Sequence, residues 1–250
     1  MKLLASLAAA VFFVCPLIAQ DEVEVFRAPD RGTEVRVHGL QILPVVGKPF
    51  SGRDHIEWTR KLEDGTEVRL ELYAFLARDS QGRIYREHVS FVPANSNQPS
   101  KRREIDFLDP VTHTRTVCIM AKRHCAITSY YSSTKFLPPP VGPQDNGTRY
   151  LSRQPLGTDV VDGLAVLGTR ETLTINTEVV GNSQPLITTK DYWYSSDLEI
   201  NLITIRNDPR EGTQAVHVVD LSRTEPDASV FQVPANFVVE DDRQAPKSRN

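Results

Sequence analysis

Residues 67–75 read Glu-Val-Arg-Leu-Glu-Leu-Tyr-Ala-Phe, and apolar and polar side chains alternate through most of this stretch. Aliphatic residues occupy every even position from Val68 to Ala74. Because successive side chains of a β-strand point to opposite faces, this alternation predicts a strand with one apolar face. The dipeptide Asp64-Gly65 lies just before it and is typical of a tight turn. The sequence therefore predicts a hairpin between residues 55–62 and residues 66–78.

Further strand-like stretches follow one another along the chain, separated by turn-forming residues. β-Branched and aromatic side chains, which pack well on a pleated surface, are frequent in these stretches. They cover residues 83–92, 112–120, 123–130, 168–176, 186–194, 198–206 and 213–222. Three glycines between positions 157 and 168 are typical of sharp bends in a curved sheet. We therefore expect a mainly β fold, with a single curved antiparallel sheet or a half-open β-barrel and little helix.

Helical spacing is not sustained over any long window that follows residue 20. The pattern allows short turns near residues 152–161 and near residues 227–231, where Asp227 is suited to cap a turn. The segment from Pro138 to Thr148 is rich in Pro, Gly and Asn, so we expect an extended loop there.

The first twenty residues have the pattern of a secretory signal peptide. Lys2 precedes an apolar run that ends at Val14, and Pro16 and small residues follow. The run is shorter than the ~20 apolar residues that a membrane span needs, and no other stretch approaches that length. We predict an exported protein, periplasmic or extracellular, with no transmembrane segment after processing. Lipoprotein processing at Cys15 is the less favoured alternative, because Val14 is a poor residue before a modified cysteine.

These boundaries predict three parts of the chain. Residues 1–20 form the signal peptide, residues 21–240 form a single β-rich domain, and residues 241–250 form a flexible, charged tail.

Two cysteines remain after residue 20, namely Cys118 and Cys125. An even pair in an exported protein predicts a disulfide, which here would connect two neighbouring strands. The other interpretation is a metal site made of His113, Cys118, His124 and Cys125. Adjacent residues of a strand point to opposite faces, so His124 and Cys125 do not suit one metal ion. We predict the disulfide, with free thiols as a further alternative, and no metal site.

Charge and motifs exclude some functions and leave catalysis open. The chain has 29 Lys and Arg against 32 Asp and Glu, and its net charge is −3. A nucleic-acid partner is therefore not expected, since binding needs a concentrated basic surface. We find no motif of a nucleophilic, phosphate-binding or metal-dependent enzyme, and we predict no catalytic residues and no cofactor.

Several phrases of the sequence resemble a group of uncharacterised exported bacterial proteins. The similarity covers most of residues 40–240. The matching phrases are Gly47–Gly52, Arg78–Ser80 through Arg86-Glu87, Val161–Gly163 through Thr172, Trp193–Ser195 with Asp197-Leu198, Asp208–Arg210 with Gly212, and Glu225–Asp227 through Phe231–Pro234.

The chain is also distantly similar to the lipoprotein-carrier (LolA/LppX/RseB-like) superfamily, whose members often end in a phrase like Phe231-Gln232-Val233-Pro234. That resemblance implies a curved, unclosed antiparallel sheet around a lid. It also implies that the protein holds an acyl chain or senses an envelope protein. The sequence departs from the superfamily in its low helical content.

Three functions follow from these observations. The first is a non-catalytic binder of an apolar ligand such as a lipid or acyl chain, with the ligand-binding residues unknown. Eight aromatic residues are candidates to line its surface: Trp58, Tyr73, Phe75, Tyr85, Phe91, Tyr192, Trp193 and Tyr194. The second is a periplasmic or surface module that binds an envelope protein through a sheet edge or the loop at 138–148. The third is a hydrolase with an unrecognised site.

Overall fold

The computed structural model describes residues 26–27, 34–35, 40, 42–131 and 139–244. The predicted signal peptide over residues 1–20 lies outside the described residues, as does the end of the predicted tail at 245–250. The chain divides into two compact units, residues 1–36 and residues 37–250. In the first unit, strand β1 (Phe26–Arg27) pairs antiparallel with β2 (Glu34–Val35).

In its described residues, the second unit contains fourteen strands that belong to one sheet. They are β3 (Phe50–Lys61), β4 (Glu67–Arg78), β5 (Ile84–Val89), β6 (Val92–Pro93), β7 (Arg102–Asp109), β8 (Thr114–Ile119), β9 (His124–Ser129), β10 (Gly142–Gln144), β11 (Arg149–Val161), β12 (Leu164–Ile175), β13 (Leu186–Ser195), β14 (Ile200–Asp208), β15 (Gly212–Ser222) and β16 (Val238–Asp241). Three short 3₁₀ turns cover Asp145–Gly147, Ala228–Phe231 and Asp242–Gln244.

The strand order across this sheet is β10-β11-β12-β13-β14-β15-β3-β4-β5-β7-β8-β9-β16, with β6 pairing beside this path to β4. Every neighbouring pair is antiparallel except β16 with β9, which is parallel. The strands at the two ends of the order do not pair with each other in the described part of the chain, so the sheet is open. The mainly β prediction, with one curved sheet and little helix, is confirmed, and the parallel pair at one edge is an addition to it.

The central strands bury apolar side chains on both faces, but at different places. We name the faces by two adjacent residues of β3, the Ile56 face and the His55 face. On the Ile56 face, Ile56 packs with Leu72 and Ala74 of β4 and Val216 of β15. Farther along the same face, Leu40, Ile42 and residues of the β12–β14 region join a larger cluster. That cluster contains Leu40, Ile42, Phe50, Leu76, Ile84, Leu108, Leu164, Val166, Leu198, Ile200, Leu202 and Val218.

The His55 face is apolar over the β4–β9 half of the sheet. Its buried residues are Ala77, Tyr85, Ile105, Phe107, Cys118 and Cys125. Side chains from the C-terminal part of the chain cover them, including Phe231 and Val233. The two clusters therefore lie on opposite sides of one sheet, and each is closed by a different segment of the chain.

Cys118 of β8 and Cys125 of β9 lie directly opposite each other and are joined by a disulfide. The bridge connects the two strands of one hairpin, as the sequence predicts.

Two local predictions need correction. Residues 152–161 are not a turn, because they belong to the thirteen-residue strand β11, which pairs with β12 along its length. The register shifts between Pro155 and Gly157, and this bulge accommodates both residues within the strand. The predicted extended loop at 138–148 contains β10 and the 3₁₀ turn at Asp145–Gly147 within its described part.

Other local predictions can be compared directly. The turn near residues 227–231 is present as the 3₁₀ turn Ala228–Phe231, and the Asp227 side chain accepts a hydrogen bond from the Ser229 amide. Asp241 ends β16 and a 3₁₀ turn follows it, so flexibility of the tail stays a prediction for residues 245–250. No helix in the described residues combines the length and apolar character that crossing a membrane would require.

Candidate ligand-binding site

A C-terminal segment crosses the apolar part of the His55 face, and we call residues 225–241 the strap. Val230, Phe231, Val233 and Phe237 of the strap are partly buried against the sheet. Their contacts are apolar, so the strap covers side chains that would otherwise face water. The strap thus covers an apolar surface of the sheet.

Hydrogen bonds hold the strap at both of its ends. At the start, the Glu225 carboxylate accepts from the Ser80 amide at 3.1 Å and from the Ser80 hydroxyl at 3.1 Å. At the end, β16 pairs with β9, and the Val238 amide donates to the Arg123 carbonyl at 2.9 Å. Between these ends the strap rests on the sheet mainly through side-chain packing.

A small cleft of about 120 Å³ lies between the strap and the sheet. Phe231 and Val233 form its strap side, and the sheet side comes from the β5–β8 region. The sheet residues around it are Arg83, Ile84, Phe107, Leu108, Asp109, Thr114 and Thr116. Pockets that enclose a small molecule are usually larger, from about 300 to 1,000 Å³.

Arg83 lies at the rim of this cleft, with its side chain about one-third exposed. Its Cζ lies 5.0 Å from the centroid of the Phe231 ring, which is the distance of a cation–π contact. Its Nε donates to Asp79 Oδ2 at 2.5 Å. Asp79 is buried and also accepts from the Gln81 and Arg83 amides, so the turn at residues 79–83 fixes the position of the Arg83 side chain.

Three aromatic rings form the floor beneath the strap. The Tyr85 ring lies 5.8 Å from Phe75 and 5.3 Å from Phe107, measured between centroids. The Tyr85 hydroxyl donates to Glu87 Oε1 at 3.0 Å. Burial, followed by the negative charge of Glu87, raises the pKa of Tyr85 above its ordinary value. The phenol therefore stays neutral, and it serves as a hydrogen-bonded part of the apolar floor.

The eight aromatic candidates from the sequence do not form one surface. Phe75 and Tyr85 lie beneath the strap, whereas Trp58 is buried on the Ile56 face and donates to the Glu211 carbonyl at 2.7 Å. Phe91 packs beside Ile56 and Leu72, and Tyr73 is exposed and stacks on His55. Tyr192, Trp193 and Tyr194 are consecutive in β13, so their side chains alternate between faces.

The rejected metal interpretation can also be compared with the structure. Cys118 and Cys125 are joined in a disulfide, so neither offers a thiolate to a metal ion. His124 Nε2 lies 3.2 Å from Glu240 Oε2 of the strap, and the His113 ring stacks on Tyr131.

A different group of possible metal ligands lies on β3 and β4, where His55, Glu57 and Glu71 each bring one ligand atom within 4.8 Å of the others. Sequence reasoning did not identify this group.

Two buried charged residues have structural partners away from the cleft. Arg78 is fully buried and donates to the carbonyls of Leu43 at 2.9 Å, Lys48 at 3.0 Å and Leu198 at 2.5 Å. Burial lowers its pKa to about 10. Asp54 is buried on the Ile56 face, where burial raises its pKa to about 7.

Comparison with known proteins gives structural likeness only. No family model matches the chain, and no curated protein matches it. Among solved structures, an uncharacterised conserved protein from Thermus thermophilus has 11% identity and a TM-score of 0.41, covering 78% of this chain and 91% of that one. A LolA superfamily protein from Nitrosomonas europaea has 10% identity and a TM-score of 0.29, covering 75% and 91%. MucB in its complex with MucA from Pseudomonas aeruginosa has 12% identity and a TM-score of 0.38, covering 76% and 57%.

Proposed function

We propose that the protein is a non-catalytic binder of an apolar ligand, such as a fatty acyl chain, and that it works outside the cytosol. The ligand would lie between the strap and the His55 face of strands β5–β8. The observation that carries this proposal is the cleft between Phe231 and Val233 on one side and Phe107 and Thr116 on the other.

The attachment of the strap supports binding by displacement. The present cleft is smaller than a usual ligand pocket, so an acyl chain would have to replace strap side chains. Phe231 and Val233 are the side chains it would replace, because they already occupy the apolar surface. The hydrogen bonds at Glu225 and along β16 would keep the strap attached while its middle moves outward.

Arg83 gives this site a position for a polar head group. It lies at the rim, partly exposed, and its guanidinium is held by the buried Asp79. A carboxylate at the end of an acyl chain can pair with an arginine while the chain packs on aromatic rings. We therefore place the head group at Arg83 and the chain along Phe107 and Tyr85.

The test is uptake of a fluorescent fatty acid by the purified protein, together with native mass spectrometry of protein prepared from its own cells. We expect saturable uptake at one site, and a bound lipid in the mass spectrum. Val233→Asp should reduce the affinity at least tenfold by placing a carboxylate in the cleft. Val160→Asp is the matched control, because Val160 is exposed on β11. Absence of both uptake and co-purified lipid would contradict the proposal, as would equal effects of the two variants.

A second candidate function rests on the edge of the sheet at β11. The three-residue strand β10 pairs only with Arg149–Leu151 of β11. In the described residues, positions 152–161 have no strand on their outer side, and Val160 is 67% exposed there. An unpaired edge of this length can accept a strand from another protein. A photo-crosslinker at Val160 should then capture one envelope protein in cells, whereas the same group at the exposed Tyr131 should not. The hydrolase alternative stays a prediction.

A further inference from the structure

Three possible metal ligands meet on the His55 face, at the centre of the sheet. His55 Nε2 lies 3.4 Å from Glu71 Oε2 and 3.8 Å from Glu57 Oε1. The three ligand atoms all lie within 4.8 Å of one another. This group is separate from the cleft under the strap, and the proposed function does not use it.

The pairing of Glu57 with Glu71 is the unusual feature. These residues are directly opposite each other in the β3–β4 ladder. Like charges in that position destabilise a sheet. Both carboxylates pair with His55, and one imidazole can carry only a single positive charge. A bound divalent cation would remove the repulsion.

Neighbouring groups hold two of the three side chains in position. The His55 ring stacks on Tyr73, with 4.2 Å between centroids and 5° between planes. Glu71 Oε1 accepts a hydrogen bond from the Asn95 amide at 3.2 Å, which leaves Oε2 next to His55. Such outer contacts are typical of metal ligands, because they fix the orientation of imidazole and carboxylate groups.

Strand β15, which pairs with the other side of β3, has a small residue beside this group and carries another histidine. On β15, the small Ala215 lies opposite Glu57, and His217 lies opposite His55. Residues directly opposite each other in a sheet share a face, so His217 stands next to the three ligands.

We propose that His55, Glu57 and Glu71 bind a divalent transition-metal ion such as Zn²⁺, with His217 on the neighbouring strand as a candidate fourth ligand. Imidazole nitrogen combined with carboxylate oxygen suits zinc and its neighbours rather than calcium or magnesium. Ligand atoms at ~2.0–2.1 Å from a tetrahedral zinc ion are about 3.3 Å apart. The separations of 3.4 and 3.8 Å from His55 are close to this value, and the two glutamate oxygens lie within 4.8 Å of each other, so side-chain movements of about 1 Å would complete the site.

The test is calorimetric titration of untagged, chelator-treated protein with Zn²⁺, together with the visible absorption of Co²⁺ in the same site. We expect one ion per chain, and Co²⁺ bands typical of tetrahedral coordination. His55→Ala and Glu71→Gln should each weaken Zn²⁺ binding at least tenfold. His124→Ala is the matched control, because that histidine pairs with Glu240 on another part of the sheet and should leave Zn²⁺ binding unchanged.

Glu57→Gln separates metal binding from a purely structural role. Its side chain is half exposed, so the variant should fold. It should weaken Zn²⁺ binding at least tenfold and raise the melting temperature of the metal-free protein, since it removes the repulsion from Glu71. The proposal would be overturned by the absence of stoichiometric binding. It would also be overturned if binding were equally strong in His55→Ala, Glu57→Gln and Glu71→Gln.

Discussion

The guanidinium of Arg83 lies over the ring of Phe231, with its Cζ 5.0 Å from the ring centroid. This contact joins the turn before β5 to the 3₁₀ turn of the strap. Because Arg83 is itself held by the buried Asp79, the contact links the strap to a rigid part of the sheet.

Phe231→Ala should loosen the strap without unfolding the sheet. The variant removes a partly buried ring and a cation–π contact, and we expect it to lower the free energy of unfolding by about 1–2 kcal/mol. Hydrogen exchange should accelerate in residues 228–241 and stay unchanged in β3. Tyr131→Ala is the control, since that ring is 83% exposed. Unchanged exchange in the strap would show that Phe231 does not hold it.

Removing the disulfide should reduce stability by a moderate amount. Cys118 and Cys125 are seven positions apart, and closing a loop of that size in the unfolded chain gives about 2–3 kcal/mol in the chain-entropy model. We expect this loss in the double variant Cys118→Ala and Cys125→Ala, measured by urea unfolding. Reduction of the unmodified protein should give a similar shift. An unfolding midpoint that does not respond to reductant would contradict the prediction.

Arg78→Met should be strongly destabilising, because the carbonyls of Leu43, Lys48 and Leu198 would lose the bond from Arg78, although that of Leu43 keeps its bond from the Val45 amide. Unpaired buried polar groups cost about 1–3 kcal/mol each, and we expect a total loss of at least ~3 kcal/mol in urea unfolding. Arg78→Lys should recover little, since one ammonium cannot reproduce the planar geometry of three bonds. Arg53→Met is the matched control on an exposed side chain of the same sheet. Equal effects of Arg78→Met and Arg53→Met would refute this account.

Asp208 should make stability depend on acid pH. Burial alone would raise its pKa, but hydrogen bonds from Arg210 and the charges of Arg210 and Arg206 hold the pKa at about 2, below its ordinary 3.8. The folded state therefore binds a proton less readily than the unfolded state, and this stabilisation is present above pH 4 and lost as the pH falls towards 2. Asp208→Asn should lower the free energy of unfolding by about 2 kcal/mol at pH 7, and by much less at pH 2. A pH-independent difference between the two proteins would contradict this prediction.

The strand pattern was predictable where one face is apolar and the turn is explicit. The hairpin around Asp64-Gly65 extends on both sides as the alternation in residues 67–75 indicates. The prediction of a short turn near residues 152–161 was wrong, because a bulge accommodates Pro155 and Gly157 within the continuous strand β11. Sequence comparison singles out Asp208–Arg210 with Gly212, but only the structure shows why these residues are needed in the turn. Asp208 accepts several bonds within that turn, and a Cβ on Gly212 would lie 2.2 Å from the Thr59 carbonyl oxygen.

The two sites differ in how far the sequence could have predicted them, because only the cleft depends on contacts between distant parts of the chain. The cleft under the strap joins residues near 107 with residues near 231, and no local pattern indicates that contact. The His55 group could have been found from the predicted hairpin. A turn at Asp64-Gly65 sets the register that places Glu57 opposite Glu71. The alternation in residues 67–75 assigns Glu71 to this face, and its partner Glu57 becomes apparent only when the two strands are aligned.

The pairing of β15 with β3 has a consequence for how the molecule forms. Trp58 of β3 pairs with Gln214 of β15 at the centre of the sheet. Two segments more than 150 positions apart in the chain must therefore meet. Contacts of such wide sequence separation slow folding. Until residue 222 has been synthesised, one side of β3 has no partner and remains open to wrong associations. We therefore expect slow refolding that is limited by the pairing of β15 with β3. We also expect the incomplete chain to need chaperones during synthesis.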